Sequence, residues 1–447
     1  MINKKLIREL LNESACSHNE KKKSSCDKPK PGATSGGCAF EGAQIALFPY
    51  ADAVHLVHAP ATCIGASWET RATPTSWEGE NNVVMGYSTD ITTNDVIFGG
   101  HKKLEASIEY IVAHKNPKAL FIYETCVTAM IGDDMDNIAS RMQEKYGIPM
   151  VVVHSPGFVG GKNLGSRLGG EAVLHQLIGT KEPQEIHPFG INLIGEYNVT
   201  GDMWQYTPIL EKIGIKIVST LAGDGRIENI QMAHSAKLNV IVCAKSLITL
   251  TRKMQEKYNI PYISVSFYGK RDTTNAIMSI VNAFGDAQLI ANAQKIIQEK
   301  EAKLEERLAP YREILHGKKA ILNTGGNKSW SIASALQDIG IEVVATSIRK
   351  STLEDIEIAK EYVKILMKNP AQEQAQLIDE HQVDLLLAGG RSLYTAIKKR
   401  VAFVDVNQEK KISYGAYGGL ENLAIDVVRA IENPVFKIVG TKAPWEQ

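Results

Sequence analysis

The chain has no excess of charge of either sign: 50 lysines and arginines offset 50 aspartates and glutamates over 447 residues. That balance removes the electrostatic argument for nucleic acid or an acidic membrane surface as a partner. Long apolar runs are also missing. Stretches such as Val240–Cys243 and its neighbours fall far short of the ~20 apolar residues that a membrane span needs. No secretory leader is expected either. Met1–Leu11 is amphipathic through Leu6, Leu10 and Leu11, and lysine-rich polar sequence follows it where a cleavage site would need small residues. A soluble, cytoplasmic protein is the expectation. With 44% apolar residues the chain has ample material for two to four domains.

Cysteine is scarce, and its placement decides the reading. The six are Cys16, Cys26, Cys38, Cys63, Cys126 and Cys243. A large cytoplasmic chain neither needs a disulfide framework nor meets the oxidising conditions that maintain one. Metal binding, catalysis and plain burial remain. No CxxC pair occurs, which excludes a zinc knuckle or a ferredoxin-type run.

Residues 1–30 read as a mobile polar arm, with Cys16 and Cys26 incidental within it. From about residue 118 onward, short β-branched runs ending in polar or glycine turns alternate with amphipathic helical sequence. The runs are Ala119–Tyr123, Met150–Val153, Ile191–Ile194, Ile215–Val218, Val240–Val242, Ile263–Val265, Ala320–Leu322, Val343–Ala345, Asp384–Leu387 and Ala402–Val404. Such alternation predicts an α/β fold of parallel sheets flanked by helices, in several Rossmann-like domains. The expected units are 31–185, 186–308 and 309–447, separated by Lys181–Pro188 and by a charged connector helix from Ala291 to about Leu308 that leads into Pro310. In open α/β sheets ligands bind beyond the carboxyl ends of the strands. Cys126, Gly195–Glu196, Cys243 and Thr324–Gly326 all follow such runs.

Cys38 sits in GGCAFEGA, Cys63 in HAPATCIG and Cys126 in YETC. Each has small residues or turn formers beside it, which lets backbone approach a bulky inorganic group and aim amide N–H groups at its sulfurs. A lone buried cysteine acting as a small hydrophobe stays open as the alternative. A 4Fe-4S cluster calls for about four thiolates. This group supplies three, so the simplest completion is a thiolate from a partner chain.

The segment Lys28–Gln44 (KPKPGATSGGCAFEGAQ), together with His58–Cys63, Thr125–Cys126, Ile131–Asp134, Gly157–Phe158, Lys162–Gly165, Cys243 with Arg252–Met254, Ser266–Gly269, Thr324–Gly326 and Asp405–Gln408, resembles the nitrogenase component 1 alpha-like family. The match spans everything but the N-terminal arm. The resemblance implies three Rossmann-like domains. It implies a 4Fe-4S cluster on Cys38, Cys63 and Cys126 that bridges to a beta-type partner in an α2β2 heterotetramer. It also implies that Cys243 holds an eight-iron, carbide-containing cofactor precursor, with Arg71, Lys162, Gly325 and Gly326 lining that site. Further implied are maturation with molybdenum and homocitrate, and transient encounters with the nitrogenase iron protein and a precursor-synthesising radical enzyme.

Within that family the chain departs from the catalytic subunit. The segment that carries a histidine ligand there is Tyr414-Gly415-Ala416-Tyr417 here, and no histidine follows His381. Where the catalytic subunit places a glutamine and a histidine over its cofactor, this chain has Lys162 and Ser166. Serine delivers protons poorly where imidazole delivers them well. An assembly scaffold that binds clusters without turning over substrate is therefore the first expectation. A nitrogenase-like reductase and a vanadium-system counterpart of the scaffold are the alternatives. Lys162 and Arg167 supply positive charge for an anionic cluster or read as an ordinary helix face. Thr324–Ser329 lacks the full phosphate-loop pattern and reads as a glycine turn entering a helix. Asp133–Asp134 reads as a helix start, and His55, His58, His101 and His154 as hydrogen-bonded or surface residues.

Overall fold

The computed structural model describes residues 3–11, 37–68, 74–76, 78, 86–242, 247–349, 351–407, 410–439, 441–442 and 445. Three separate all-parallel sheets organise them. The first holds β1 (Ala53–His58), β2 (Gly86–Ser88), β3 (Ala119–Glu124) and β4 (Met150–His154), in the order β2-β1-β3-β4. The second holds β5 (Gly190–Ile194), β6 (Lys216–Leu221), β7 (Leu238–Ile241) and β8 (Tyr262–Ser264), in the order β6-β5-β7-β8. The third holds β9 (Lys319–Asn323), β10 (Glu342–Ser347), β11 (Ile365–Met367), β12 (Leu385–Ala388) and β13 (Ala402–Asp405), in the order β11-β10-β9-β12-β13. The α/β class read from the alternation of runs holds, with several parallel-sheet units flanked by helices.

The sequence of β3, ALFIYE, shows why these strands form. Successive side chains of a strand face opposite ways, so a strand covered on both sides must be apolar at every position. Ala119, Phe121 and Tyr123 enter one core with Val57, Val151 and Val153. Leu120 and Ile122 enter the opposite core with Val54, Leu56, Met150 and Val152. Each such buried side chain contributes roughly 1.5–3 kcal/mol relative to exposure. The third sheet divides in the same way. Ala320, Leu322, Leu385 and Leu387 face a core shared with Ile191, Leu193 and Val240 of the second sheet, whereas Ile321, Leu386 and Ala388 face outward onto a separate cluster.

The strand orders place the reversal of winding between β1 and β3, between β5 and β7, and between β9 and β12. Those are the points where flanking helices depart to opposite faces and leave a crevice. Cys63 follows β1, Cys126 follows β3, Gly195–Glu196 follows β5, and Thr324–Gly326 follows β9. The fold thus delivers the candidate residues to its crevices.

All ten runs identified in the sequence are strands, whereas β1, β2 and β11 were not identified. β1, AVHLVH, is wholly buried despite its two histidines, and the other two are only three residues each. The connector helix runs Ala287–Leu315, straight through Pro310. The ring removes one helical hydrogen bond, but Leu304, Leu308 and Leu315 are buried on either side of it and Arg312 Nε donates to the Asp338 carbonyl at 2.9 Å. Within the expected arm, Lys4–Leu11 is a helix; its Leu6 and Ile7 pack on Leu164 and Leu168. The arm's cysteines, Cys16 and Cys26, lie outside the described residues.

The tightest contact in the first unit joins helix Ala39–Leu47 to helix Lys162–Gln176. A Cβ on Gly165 would lie 1.8 Å from the Ala39 carbonyl oxygen, and one on Gly42 would lie 2.0 Å from that of Lys162. Only glycine permits this approach. Gly165→Ala is therefore expected to cost at least about 1–3 kcal/mol, the usual range for overpacking, read as a lower urea midpoint with an unchanged m-value.

Candidate metal centre

Three cysteines from three loops meet at the carboxyl edge of the first sheet. Cys38 is the extended N-cap residue of helix Ala39–Leu47, preceded by Gly37 at φ +89°, a conformation that favours glycine. Its backbone pairs with Gly161 in an isolated antiparallel bridge. Cys63 lies in helix Ala61–Trp68, with its N–H donating to the Pro60 carbonyl at 3.2 Å. Cys126 opens helix Cys126–Ile131, whose first turn is closed by a capping box between Thr125 and Thr128. The Thr125 and Thr128 hydroxyls both donate to the His58 carbonyl, at 3.0 and 3.1 Å, so the ends of β1 and β3 are stitched together beneath the thiols.

Gly157 closes the group. A Cβ there would stand 3.1 Å from Cys126 Sγ and 3.2 Å from Cys38 Sγ. Burial pushes the Cys63 thiol pKa up, and the charges of Cys126 and Cys38 push it further. All three are half-buried thiols outside any disulfide. Gathering three thiolates is unfavourable unless a cation neutralises them, and metal binding releases their protons in exchange. No three His, Cys, Asp or Glu side chains among the described residues form a single-ion site. A four-iron cube carries its thiolates on separate irons, so its donors need not converge on one point. The donor chemistry of Cys38, Cys63 and Cys126 fits such a cluster with one thiolate lacking.

The histidines nearby serve structure. His58 is buried, with Nδ1 3.0 Å from Thr89 Oγ1 and Nε2 3.0 Å from Asp133 Oδ2. Asp133 also accepts from the Gly100 N–H at 3.0 Å. His55 Nδ1 meets the Tyr123 hydroxyl at 2.8 Å, and burial drops its pKa to about 3. Asp134 caps helix Met135–Tyr146 by accepting from the Asn137 N–H.

Cys243 and Arg71, expected at the larger site, lie outside the described residues; what flanks Cys243 does not. The Asn327 amide donates to the Val242 carbonyl, which brings the Thr324–Gly326 turn of the third unit beside the end of β7. On the other flank, a Cβ on Gly170 of helix Lys162–Gln176 would lie 3.1 Å from Leu247. All three units therefore meet at Val242 and Leu247, the described residues on either side of Cys243. Gly326 takes φ +65°, and the buried Thr324 hydroxyl in the same turn has no partner among the described residues.

The other expected cofactor contacts are already engaged. Lys162 pairs with Glu41 at 2.5 Å, close to Cys38. The Ser166 hydroxyl donates to the Gly42 and Lys162 carbonyls at 3.0 and 3.2 Å. Arg167 is buried, with Nε donating to the Asn163 carbonyl. Gly415 is packed against backbone: a Cβ there would lie 2.6 Å from the Asp202 carbonyl oxygen.

Two features escaped the sequence reading. Gln44 is fully buried, and neither amide atom has a partner among the described residues. Asp202 is buried and accepts from five groups, four of them in residues 410–415. Neither residue type carries a local signal for such a role.

A fold of three parallel-sheet units with thiols gathered at one switch point defines a class of metal-cluster proteins, and comparison with known proteins specifies it. The model of the nitrogenase component 1 type oxidoreductase family matches residues 38–432, and the chain belongs to that family. It is 49% identical to the nitrogenase iron-molybdenum cofactor biosynthesis protein NifE of Nostoc sp. over 99% of this chain and 94% of that protein. Against NifE of Klebsiella pneumoniae it is 41% identical over 98% of each chain. The solved structure of nitrogenase Cp1 at pH 5 superposes with a TM-score of 0.82 at 24% identity, covering 98% of this chain and 100% of that one. That likeness establishes the fold.

His154, at the end of β4, stands between two carboxylates. Nδ1 is 3.1 Å from Glu124 Oε2, and Nε2 is 3.0 Å from Asp136 Oδ2. Burial pulls its pKa down, but the bonds to Asp136 and Glu124 outweigh burial and raise it from 6.5 to about 9. A raised pKa in the folded state means the ion pairs stabilise fully below about pH 6.5 and are lost as pH rises through about 9. Thermal melts between pH 6 and 10 should therefore show a decline that Asp136→Asn flattens.

Proposed function

We propose that the chain is the alpha-type scaffold subunit of nitrogenase iron–molybdenum cofactor biosynthesis, acting in the cytoplasm. The single observation that carries this reading is the meeting of Cys38, Cys63 and Cys126 as half-buried thiols around Gly157. These three hold a 4Fe-4S cluster whose fourth thiolate comes from a beta-type, NifN-like subunit in an α2β2 heterotetramer. Support for a partner at this edge comes from nearby exposed apolar side chains. Phe98 is 78% exposed and Met130 80% exposed, on the helices beside Cys126, and Phe158 next to Gly157 is also exposed. Apolar surface of this kind marks an interaction site.

Cys243 anchors the eight-iron precursor where the three units converge, with Arg71, Lys162, Gly325 and Gly326 around it. When bound, the precursor supplies the metal core that molybdenum and homocitrate complete, with the iron protein and the precursor-synthesising radical enzyme as transient visitors. The chain's own residues position and release this cargo. Gly415, pressed against Asp202, offers no side-chain ligand. Ser166, committed to backbone carbonyls, offers no proton relay. Both features support a holding role over substrate reduction.

Removal of single thiols tests the assignment on the purified complex. Cys126→Ala should lose the iron of the bridging cluster and its paramagnetic signal, and should loosen the tetramer in sedimentation. Cys243→Ala should deplete only the larger cluster. A Cys126→Ala complex with full iron content, or a native complex that reduces acetylene robustly with iron protein and ATP, would defeat the reading.

A further inference from the structure

Residues 410–415, beyond β13, meet a carboxylate of another unit. Asp202, the first residue of helix Asp202–Ile213, is buried, and residues 410–415 converge on it. Oδ1 accepts from Ser413 Oγ at 2.8 Å, from the Tyr414 N–H at 2.8 Å and from the Gly415 N–H at 3.2 Å. Oδ2 accepts from Lys410 Nζ and from the Tyr268 hydroxyl. Lys410 is itself buried, its side chain 1% exposed, with its ammonium 5.2 Å from the Tyr414 ring centre and 5.8 Å from that of Tyr268. The Ala416 N–H continues the seam by donating to the Phe267 carbonyl at 2.6 Å.

We infer that Asp202 is a latch that holds segment 410–415 shut against the second unit, and that Gly415 is the seat on which the latch closes. The arrangement concentrates the segment's attachment on one side chain. A carboxylate has about four acceptor positions, and with five donors around it Asp202 has its acceptor capacity filled. A buried ion pair holds while both charges are present and fails when one is removed, because the remaining charge is left unpaired in a dry site. A latch of this kind is firm when closed and opens all at once. Gly415 belongs to it because any Cβ would strike the Asp202 carbonyl. The position is filled by backbone; it is not a ligand place left vacant. Tyr268, on which the latch closes, has the Lys328 ammonium 5.5 Å from its ring centre, and the neighbouring Asn327 amide bonds the Val242 carbonyl at the flank of Cys243; resting on the scaffold reading, the segment is the door through which the bound precursor is exchanged.

The test uses the full chain co-purified with its partner subunit, in three variants. In Asp202→Asn, hydrogen–deuterium exchange at Tyr414 and Gly415 should quicken by about tenfold or more, as for a locally opened unit, while amides of β3 keep their native rates. Ser413→Ala and Gly415→Ala should quicken the same amides to a smaller degree, and these two decide the matter if Asp202→Asn does not fold. Native exchange rates at Tyr414 and Gly415 in all variants that fold would overturn the latch. Release of iron to bathophenanthroline disulfonate tests the consequence. Variants with an open segment should release the iron held through Cys243 several-fold faster, with the bridging cluster's iron unaffected. An opened segment with unchanged iron release overturns the door. A native complex without bound iron overturns the scaffold reading instead, and exchange rates then judge the latch by themselves.

Discussion

The close approach of helices Ala39–Leu47 and Lys162–Gln176 is the contact on which the candidate centre depends. Gly42 and Gly165 let each helix touch the other's backbone, so neither can slide or rotate without a collision. Cys38 begins one of these helices, and Gly157–Gly161, which approaches Cys38 and Cys126, leads into the other. A multi-iron cluster tolerates little error in the placing of its thiolates. The precision comes from backbone packed on backbone, the stiffest contact that a protein interior provides.

From that fixed pair outward, the molecule divides its labour by switch point. The first crevice carries thiols. The second and third face each other across a shared apolar core, and their loops meet where Asn327 bonds the end of β7. Asp202 and Lys410 form the most buried ion pair among the described residues. The gathered thiols thus stand at an outer edge beside exposed apolar surface, apart from the place where the three units meet.

Much of this was legible in the chain itself. Period-two burial on both faces gives continuous apolar runs, and every run of that kind is a strand. β1 escaped because His55 and His58 read as polar, yet Tyr123, Thr89 and Asp133 satisfy them inside the sheet. The cysteines were legible from their small neighbours, whereas their convergence depends on strand order, which no local pattern encodes. The role of Asp202 was illegible for the same reason. Four of its five partners lie 208 to 213 residues away, and a single aspartate after a glycine looks like a helix start, which it also is. Lys162 was read as a cofactor contact from its place in the motif, while its pairing with Glu41 followed only from the helix packing.

Helix Ala287–Leu315 spans the second and third units without a break. Its first half packs through Leu289 beside Gly214, and Asn292 bonds the Ile213 carbonyl. Its second half is tied to the third unit through Arg307 with Glu421 and Arg312 with Asp338. At 29 residues the rod is about 44 Å long, and both ends are set in apolar core. The covalent joint between these units is therefore a strut and lacks the pliable residues of a hinge. Such a strut fixes the mutual orientation of the two sheets and leaves the loops as the parts of this half with room to move.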